Sequence, residues 1–175
     1  SEQIKAINES GAQVLFVPQY SNELPGILKQ LRDGGWDKPV LGGDAWESSD
    51  LMEKCGDLCK GLFFSAHFAS FGAKGAAKAF IDSYKAKYSV APDGYAALGY
   101  DAANLLITAI SQLDAINPNL FAARNEVKDK LSAIRQFEGV SGTLNMNTSG
   151  DPKKSAVIIR ITETGEFESY AVENP

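Results

Sequence analysis

The stretch Phe16–Trp46 reads FVPQYSNELPGILKQLRDGGWDKPVLGGDAW, and its punctuation decides the fold. A short apolar run, Val14 to Val17, stops at Pro18, and Tyr20 follows in a loop. Ser21 or Asn22 is placed to cap a helix, because a side-chain oxygen there can accept one of the orphan N–H groups of the first turn. The apolar side of that helix is Leu24, Ile27, Leu28 and Leu31, recurring at three and four residues. Gly34 and Gly35 end it, and a second apolar run, Pro39 to Leu41, leads into Gly42-Gly43-Asp44. Strand, helix and strand in this order make a βαβ unit. In parallel sheets of this kind, ligands gather beyond the carboxyl ends of the strands. Tyr20 and Asp44 occupy that position on two successive strands. An aromatic ring and a carboxylate at one rim suit a small cationic or zwitterionic molecule.

The flanks extend the pattern and then break it. Residues 2 to 9 read as a helix with Ile4 and Ile7 on one side and Gly11 as its stop. After Asp44, one of Ser48, Ser49 or Asp50 caps a short helix through Leu51 and Met52 that ends near Gly56. Gly61-Leu62-Phe63-Phe64 is a buried strand running out through Ser65, Ala66, His67 and Phe68. This alternation predicts a parallel sheet covered by helices. Past residue 70 come three helices with no strand between them. The first carries Ala77, Phe80, Ile81, Tyr84 and Tyr88. The second runs from about Tyr95 to Leu113, with Leu98, Ala102, Leu105, Ala109 and Leu113 on one face and Leu106 and Ile110 widening it. The third carries Val127, Leu131 and Ile134. Such helices do not continue a βαβ series and must cover something else. From Gly139 the chain is strand-like again: Thr143 to Met146, a turn at Ser149-Gly150-Asp151-Pro152, then a hairpin of Ala156 to Ile161 and Phe167 to Val172.

The 175 residues are 44% hydrophobic and 22% charged, the balance of a soluble globular chain. A net charge of -5 with no basic cluster argues against a nucleic-acid partner. No apolar run approaches the roughly 20 residues that cross a bilayer.

The catalytic inventory is thin. No GxSxG, HExxH, GxxxxGK or GxGxxG occurs, so no catalytic residue or cofactor is assigned. His67, the single histidine, is either a general base or a hydrogen-bonded structural residue at a strand end. Asp44 either grips an ammonium group or serves a turn or helix cap. The glycines before it allow close backbone approach and unusual dihedrals. Tyr20 and Tyr95 offer ring faces to a ligand or pack at element ends, and Trp46 is either a pocket wall or a half-buried surface anchor. Cys55 and Cys59 are the only cysteines. Two thiols and one histidine cannot complete a four-ligand zinc site, so no metal is assigned. They either close a local disulfide, if the helix ends at Gly56, or remain free thiols.

Taken together, four segments resemble the C-terminal half of a type I periplasmic binding protein, in the branched-chain amino acid receptor family of ABC transporters. They are FVPQYSNELPGILKQLRDGGWDKPVLGGDAWES, CGDLCKGLFFSAHF, AFIDSYKAKYSVAPDGYAALGYDAANLL and FEGVSGTLNMNTSGDPKKSAVIIRI, in the family's order.

The resemblance implies an α/β, Rossmann-like three-layer αβα fold with a parallel sheet and helices on both faces. It assigns residues 1–67 to a second-lobe βαβ segment, 68–139 to helices of the first lobe, and 140–175 to return strands of the second lobe. Chain crossings fall near Ser65 to Phe68 and Gly139 to Thr143. Asp44 matches the acidic residue that grips a ligand's α-ammonium, Tyr20 the aromatic residue at the same rim, and Tyr95 an aromatic residue lining the pocket near the hinge. Trp46 sits where many relatives carry an aromatic residue. The implied function is capture of a branched-chain or other neutral amino acid outside the cytoplasm, with a membrane ABC permease as partner and no catalysis. A ligand-sensing domain of a receptor or amide-responsive regulator is the alternative, followed by an enzyme on a Rossmann-like fold. Absent from the sequence are the first lobe's sheet and the opening strands of the second, so a fragment is expected. It would bind weakly alone and self-associate through helix faces at 74–88 and 96–113.

Overall fold

The computed structural model describes residues 1–48 and 50–175, and position 49 lies outside the described residues. The chain divides into two compact units: Ser1–Ala66 with Val157–Val172, and His67–Ala156 with Glu173–Pro175.

The first unit is built on a five-stranded sheet in the order β1-β2-β3-β7-β8. Its strands are β1 (Leu15–Val17), β2 (Val40–Gly42), β3 (Phe63–Ala66), β7 (Ala156–Ile161) and β8 (Phe167–Glu173). β1, β2 and β3 run parallel, with Phe16 opposite Leu41 and Leu41 opposite Phe63. β7 then pairs antiparallel to β3, Phe64 facing Ile159, so the sheet is a mixed one dominated by its parallel strands. β8 follows β7 through the tight turn Thr162–Glu166, with Gly165 at φ 82, as the hairpin in the sequence predicts.

Helix α1 (Glu2–Glu9) precedes β1, and α2 (Leu24–Asp33) crosses from β1 to β2. Leu24, Leu28 and Leu31 of α2 are fully buried, the stripe that the sequence spacing predicts. The expected cap at Ser21 or Asn22 is not used. The helix starts after Glu23 with Pro25 in its first turn, where the missing N–H costs nothing. At the other end the chain leaves through Gly34 and Gly35, the latter at φ 87. Arg32 Nη1 donates to the carbonyls of Trp36 and Lys38 and fixes the path into β2. The helix α3 (Leu51–Cys55) follows Asp50, whose side chain makes no capping bond. Ser49, the alternative cap, falls outside the described residues.

The sheet's two faces differ. Val17, Val40, Phe64, Ile159 and Ile161 share one face and are buried. Phe16, Leu41, Phe63 and Ile158 share the other, where they line an open hollow of about 370 Å³, and Phe16 is 59% exposed. Among the described residues this chain thus packs one face of its sheet.

The second unit holds α4 (Gly75–Tyr88), α5 (Gly94–Ser111) and α6 (Leu120–Ala133), then β4 (Phe137–Gly139), β5 (Gly142–Met146) and β6 (Pro152–Lys153) in a separate antiparallel sheet. Two apolar clusters hold it. Phe68, Ile81, Ala97 and Val140 form one, and Leu105, Ala109, Ile134 and Leu144 form the other. The buried face of α5 is Ala97, Asp101, Leu105 and Ala109, which keeps the expected Leu105 and Ala109 but has Ala97 and Asp101 in place of Leu98 and Ala102. Ala102 is exposed, as are Leu106 and Ile110, which the sequence placed beside the core.

Candidate functional site

β1, β2 and β3 lie side by side and parallel, so the segments leaving Val17 and Gly42 emerge at the same end of the sheet. After Val17, Pro18 breaks the strand and Tyr20 stands 65% exposed. After Gly42 the chain makes one turn of 3₁₀ helix, Asp44–Trp46. Two backbone bonds close that turn: Trp46 N–H donates to Gly43 O at 3.1 Å and Glu47 N–H to Asp44 O at 3.0 Å. A third bond, Ser21 N–H to Ala45 O at 3.0 Å, ties the loop after Tyr20 to the turn that carries Asp44. The ring-bearing loop and the carboxylate-bearing turn are therefore one backbone-linked rim.

Asp44 sits in the first turn of the 3₁₀ segment at the surface, and the N-cap position belongs to Gly43. The cap of this segment is thus Gly43 and not Asp44. The glycines also act differently from expectation. Gly43 is in ordinary extended backbone (φ -100), and neither Gly42 nor Gly43 has a positive φ. What Gly42 provides is space: a Cβ there would run into the Trp46 ring.

Trp46 is fully buried, with its ring 6.3 Å from that of Phe64. Its Nε1 is buried without a hydrogen-bond partner. Neither a pocket wall open to solvent nor a half-buried anchor describes it. The ring lies against the backbone of Gly42, at the foot of the turn that carries Asp44.

Tyr95 belongs to the second unit, in the first turn of α5, and is 61% exposed. Asp93 caps that turn by accepting the Ala96 N–H at 2.8 Å. The structure thus brings Tyr20, Asp44 and Trp46 together in one unit and puts Tyr95 in the other. His67 opens the second unit, and its main-chain oxygen accepts Lys154 Nζ at 2.8 Å.

Cys55 and Cys59 are joined by a disulfide with Cα atoms 5.7 Å apart. The pairing works because α3 stops at Cys55. Gly56, at φ 53, turns the chain into a second 3₁₀ segment, Gly56–Cys59, which brings the two side chains together. Among the described residues, no group of three or more His, Cys, Asp or Glu side chains is placed to hold a metal ion.

One further acidic residue escaped the sequence reading. Asp101, in the middle of α5, is 2% exposed, and its two oxygens accept the N–H groups of Val140 and Ser141. A carboxylate in an apolar helix stripe reads as a solvent position by type alone, so no local signal marked it.

Comparison with known proteins places this geometry. The chain is 30% identical to a leucine binding protein from Thermotoga maritima, covering 99% of this chain and 48% of that one with a TM-score of 0.86. It is 29% identical to a branched-chain amino acid transporter substrate binding protein from Streptococcus pneumoniae solved with isoleucine, again over 99% and 48%, with a TM-score of 0.75. A Pseudomonas aeruginosa leucine-, isoleucine-, valine-, threonine- and alanine-binding protein is 26% identical over 151 residues, 86% of this chain and 38% of that protein. These relatives are solute-binding proteins, not enzymes, and the chain spans half their length or less. The model of the periplasmic binding protein family matches residues 1–166, and the chain belongs to that family.

Proposed function

We propose that this member of the periplasmic binding protein family supplies the ammonium-gripping half of a receptor for neutral amino acids, branched-chain ones first. The receptor would work outside the cytoplasm and deliver its ligand to an ABC permease in the membrane. The observation that carries the reading is the Ser21–Ala45 backbone bond, which sets Tyr20 and Asp44 on one rim at the carboxyl end of a parallel sheet. The names of the relatives at 26–30% identity support the ligand class. The disulfide supports an oxidising compartment.

In this reading Asp44 accepts charge-assisted hydrogen bonds from the ligand's α-ammonium group, and the Tyr20 ring covers one side of that cation. Trp46 sets the height of the turn from below. The ligand's carboxylate is left for groups this chain does not contain, so half of the zwitterion's charge stays with water. Binding by the chain alone is therefore weak.

The test is a titration of the ¹⁵N-labelled chain with L-leucine, followed at the amides of residues 20–22 and 43–46. Saturable shifts with a Kd of about 1 mM or weaker are expected, near -4 kcal/mol or less favourable. Asp44→Asn should weaken them by about tenfold or more. Micromolar affinity for the unsubstituted chain would contradict the half-site. Shifts indifferent to Asp44→Asn would remove the assigned role of the carboxylate.

A further inference from the structure

Asp101 lies on α5 between Ala97 and Leu105, in a stripe that is otherwise apolar and buried. Its carboxylate meets two consecutive main-chain donors: Val140 N–H to Oδ1 at 2.7 Å and Ser141 N–H to Oδ2 at 2.8 Å. Consecutive N–H groups turned toward one point form a concavity suited to an anion, and here the anion is a side chain from elsewhere in the same unit. Both distances are those of charge-assisted bonds.

The turn is shaped for this contact on either side. A Cβ on Gly139 would lie 2.5 Å from Asp101 Oδ2 and 2.7 Å from Leu144 Cδ1, so only glycine admits the carboxylate. Gly142 closes the turn at φ 120, a conformation that a side chain would strain. Val140 belongs to one apolar cluster of the unit and Leu144 to the other, so the turn spans the two. The Ser141 hydroxyl, though buried, has no hydrogen-bond partner. It is the main chain of residue 141 that the carboxylate recognises.

We propose that Asp101 is an internal anion that locks α5 to the β4–β5 turn, making residues 139–142 a fixed strut and not a place where the chain bends. Residues 139–143 lie inside the second unit, and two glycines there would by themselves leave the backbone free to flex. The clamp removes that freedom. Any movement that changes the second unit must carry α5, and Tyr95 on its first turn, together with β4 and β5. The inference is independent of what the chain binds.

Backbone relaxation and amide exchange on the ¹⁵N-labelled chain test it. In the unsubstituted chain, residues 139–142 should show order parameters of about 0.85, as rigid backbone does. Exchange at Val140 and Ser141 should be as slow as at the buried amides of α5. Asp101→Asn keeps the shape but turns an NH₂ toward a donor, and should speed exchange at those two amides at least tenfold while α2 amides keep their rates. Gly139→Ala, which leaves the carboxylate but drives a methyl into it, should give the same local pattern. Ser141→Ala should change neither amide. Order parameters below about 0.6 at 139–142 in the unsubstituted chain would overturn the proposal whatever the variants do. So would native exchange at 140 and 141 that neither Asp101→Asn nor Gly139→Ala alters.

Discussion

The turn after β2 and the turn between β4 and β5 both set an aspartate against glycines, and they are held in opposite ways. At the first, a buried indole presses on Gly42, one backbone bond reaches the neighbouring loop, and the Asp44 side chain stands at the surface. At the second, the carboxylate of Asp101 is itself what holds the turn, with both oxygens committed to main-chain donors. The difference follows from solvent. A carboxylate can be buried only where fixed donors replace its water, and one kept for a ligand must stay where the ligand's cation can arrive. The first turn is thus held by an indole and main-chain bonds, and the second by a buried charge.

Truncating each of the two aspartates to alanine tests this most severely. Asp101→Ala leaves two buried N–H groups without partners, at about 1–3 kcal/mol apiece, so urea unfolding should show a loss of about 2–6 kcal/mol. Asp44→Ala, at the surface, should cost less than about 1 kcal/mol. Equal losses at the two positions would break the contrast. A loss at Asp44 with none at Asp101 would reverse it.

The stretch after Asp44 also has a covalent hold that the β4–β5 turn lacks. Cys55 and Cys59 are buried at 5% and 0% exposure and close a very short loop. Chain-entropy arithmetic for a loop of about five residues gives about 2 kcal/mol. The double variant Cys55→Ala/Cys59→Ala, or reduction of the disulfide, should lower stability by about that amount. Exchange at Val140 and Ser141 should not respond. An acceleration there would mean that the two regions are not held independently.

Which of these features the sequence disclosed depends on whether the cause is local. The βαβ unit at Phe16–Trp46 was legible because its apolar spacing, its proline and its paired glycines all act within a few residues. The rim position of Tyr20 and Asp44 followed from strand order. The buried face of α5 was legible in its second half, at Leu105 and Ala109, but not in its first. Hydrophobic periodicity chose Leu98, Ala102 and Leu105 because Asp101 reads as polar, and only contact with Val140 and Ser141, 39 and 40 residues later, makes that position a buried one. Trp46 failed for a related reason. A tryptophan beside a turn looks like a surface ring until Gly42 is seen to make room for it underneath. The antiparallel return of β7 came from the pairing of distant strands, which periodicity does not encode.

The smallest effect separates surface charge from buried charge. Asp50 is held below its ordinary carboxylate range, first by the hydrogen bond from Lys54 and then by that from Ser48, and Asp57 is lowered by Lys60. With the folded pKa depressed, the unfolded chain takes up the proton first as pH falls. The stabilisation is therefore complete above the ordinary value of 3.8 and is lost as pH drops through the folded one. Both pairs lie at the surface, where added salt screens them, the Debye length shrinking to about 3 Å at 1 M. Urea midpoints of the unsubstituted chain and of Asp50→Asn should thus differ slightly at pH 6 in low salt. They should converge either in 1 M salt or as the pH falls well below 3.8. The loss caused by Asp101→Ala should persist at 1 M salt, because orphaned buried donors are not an ionic-strength effect. Should salt remove both losses alike, the carboxylate on α5 would be acting as a surface charge, and the contrast between the two turns would fall with it.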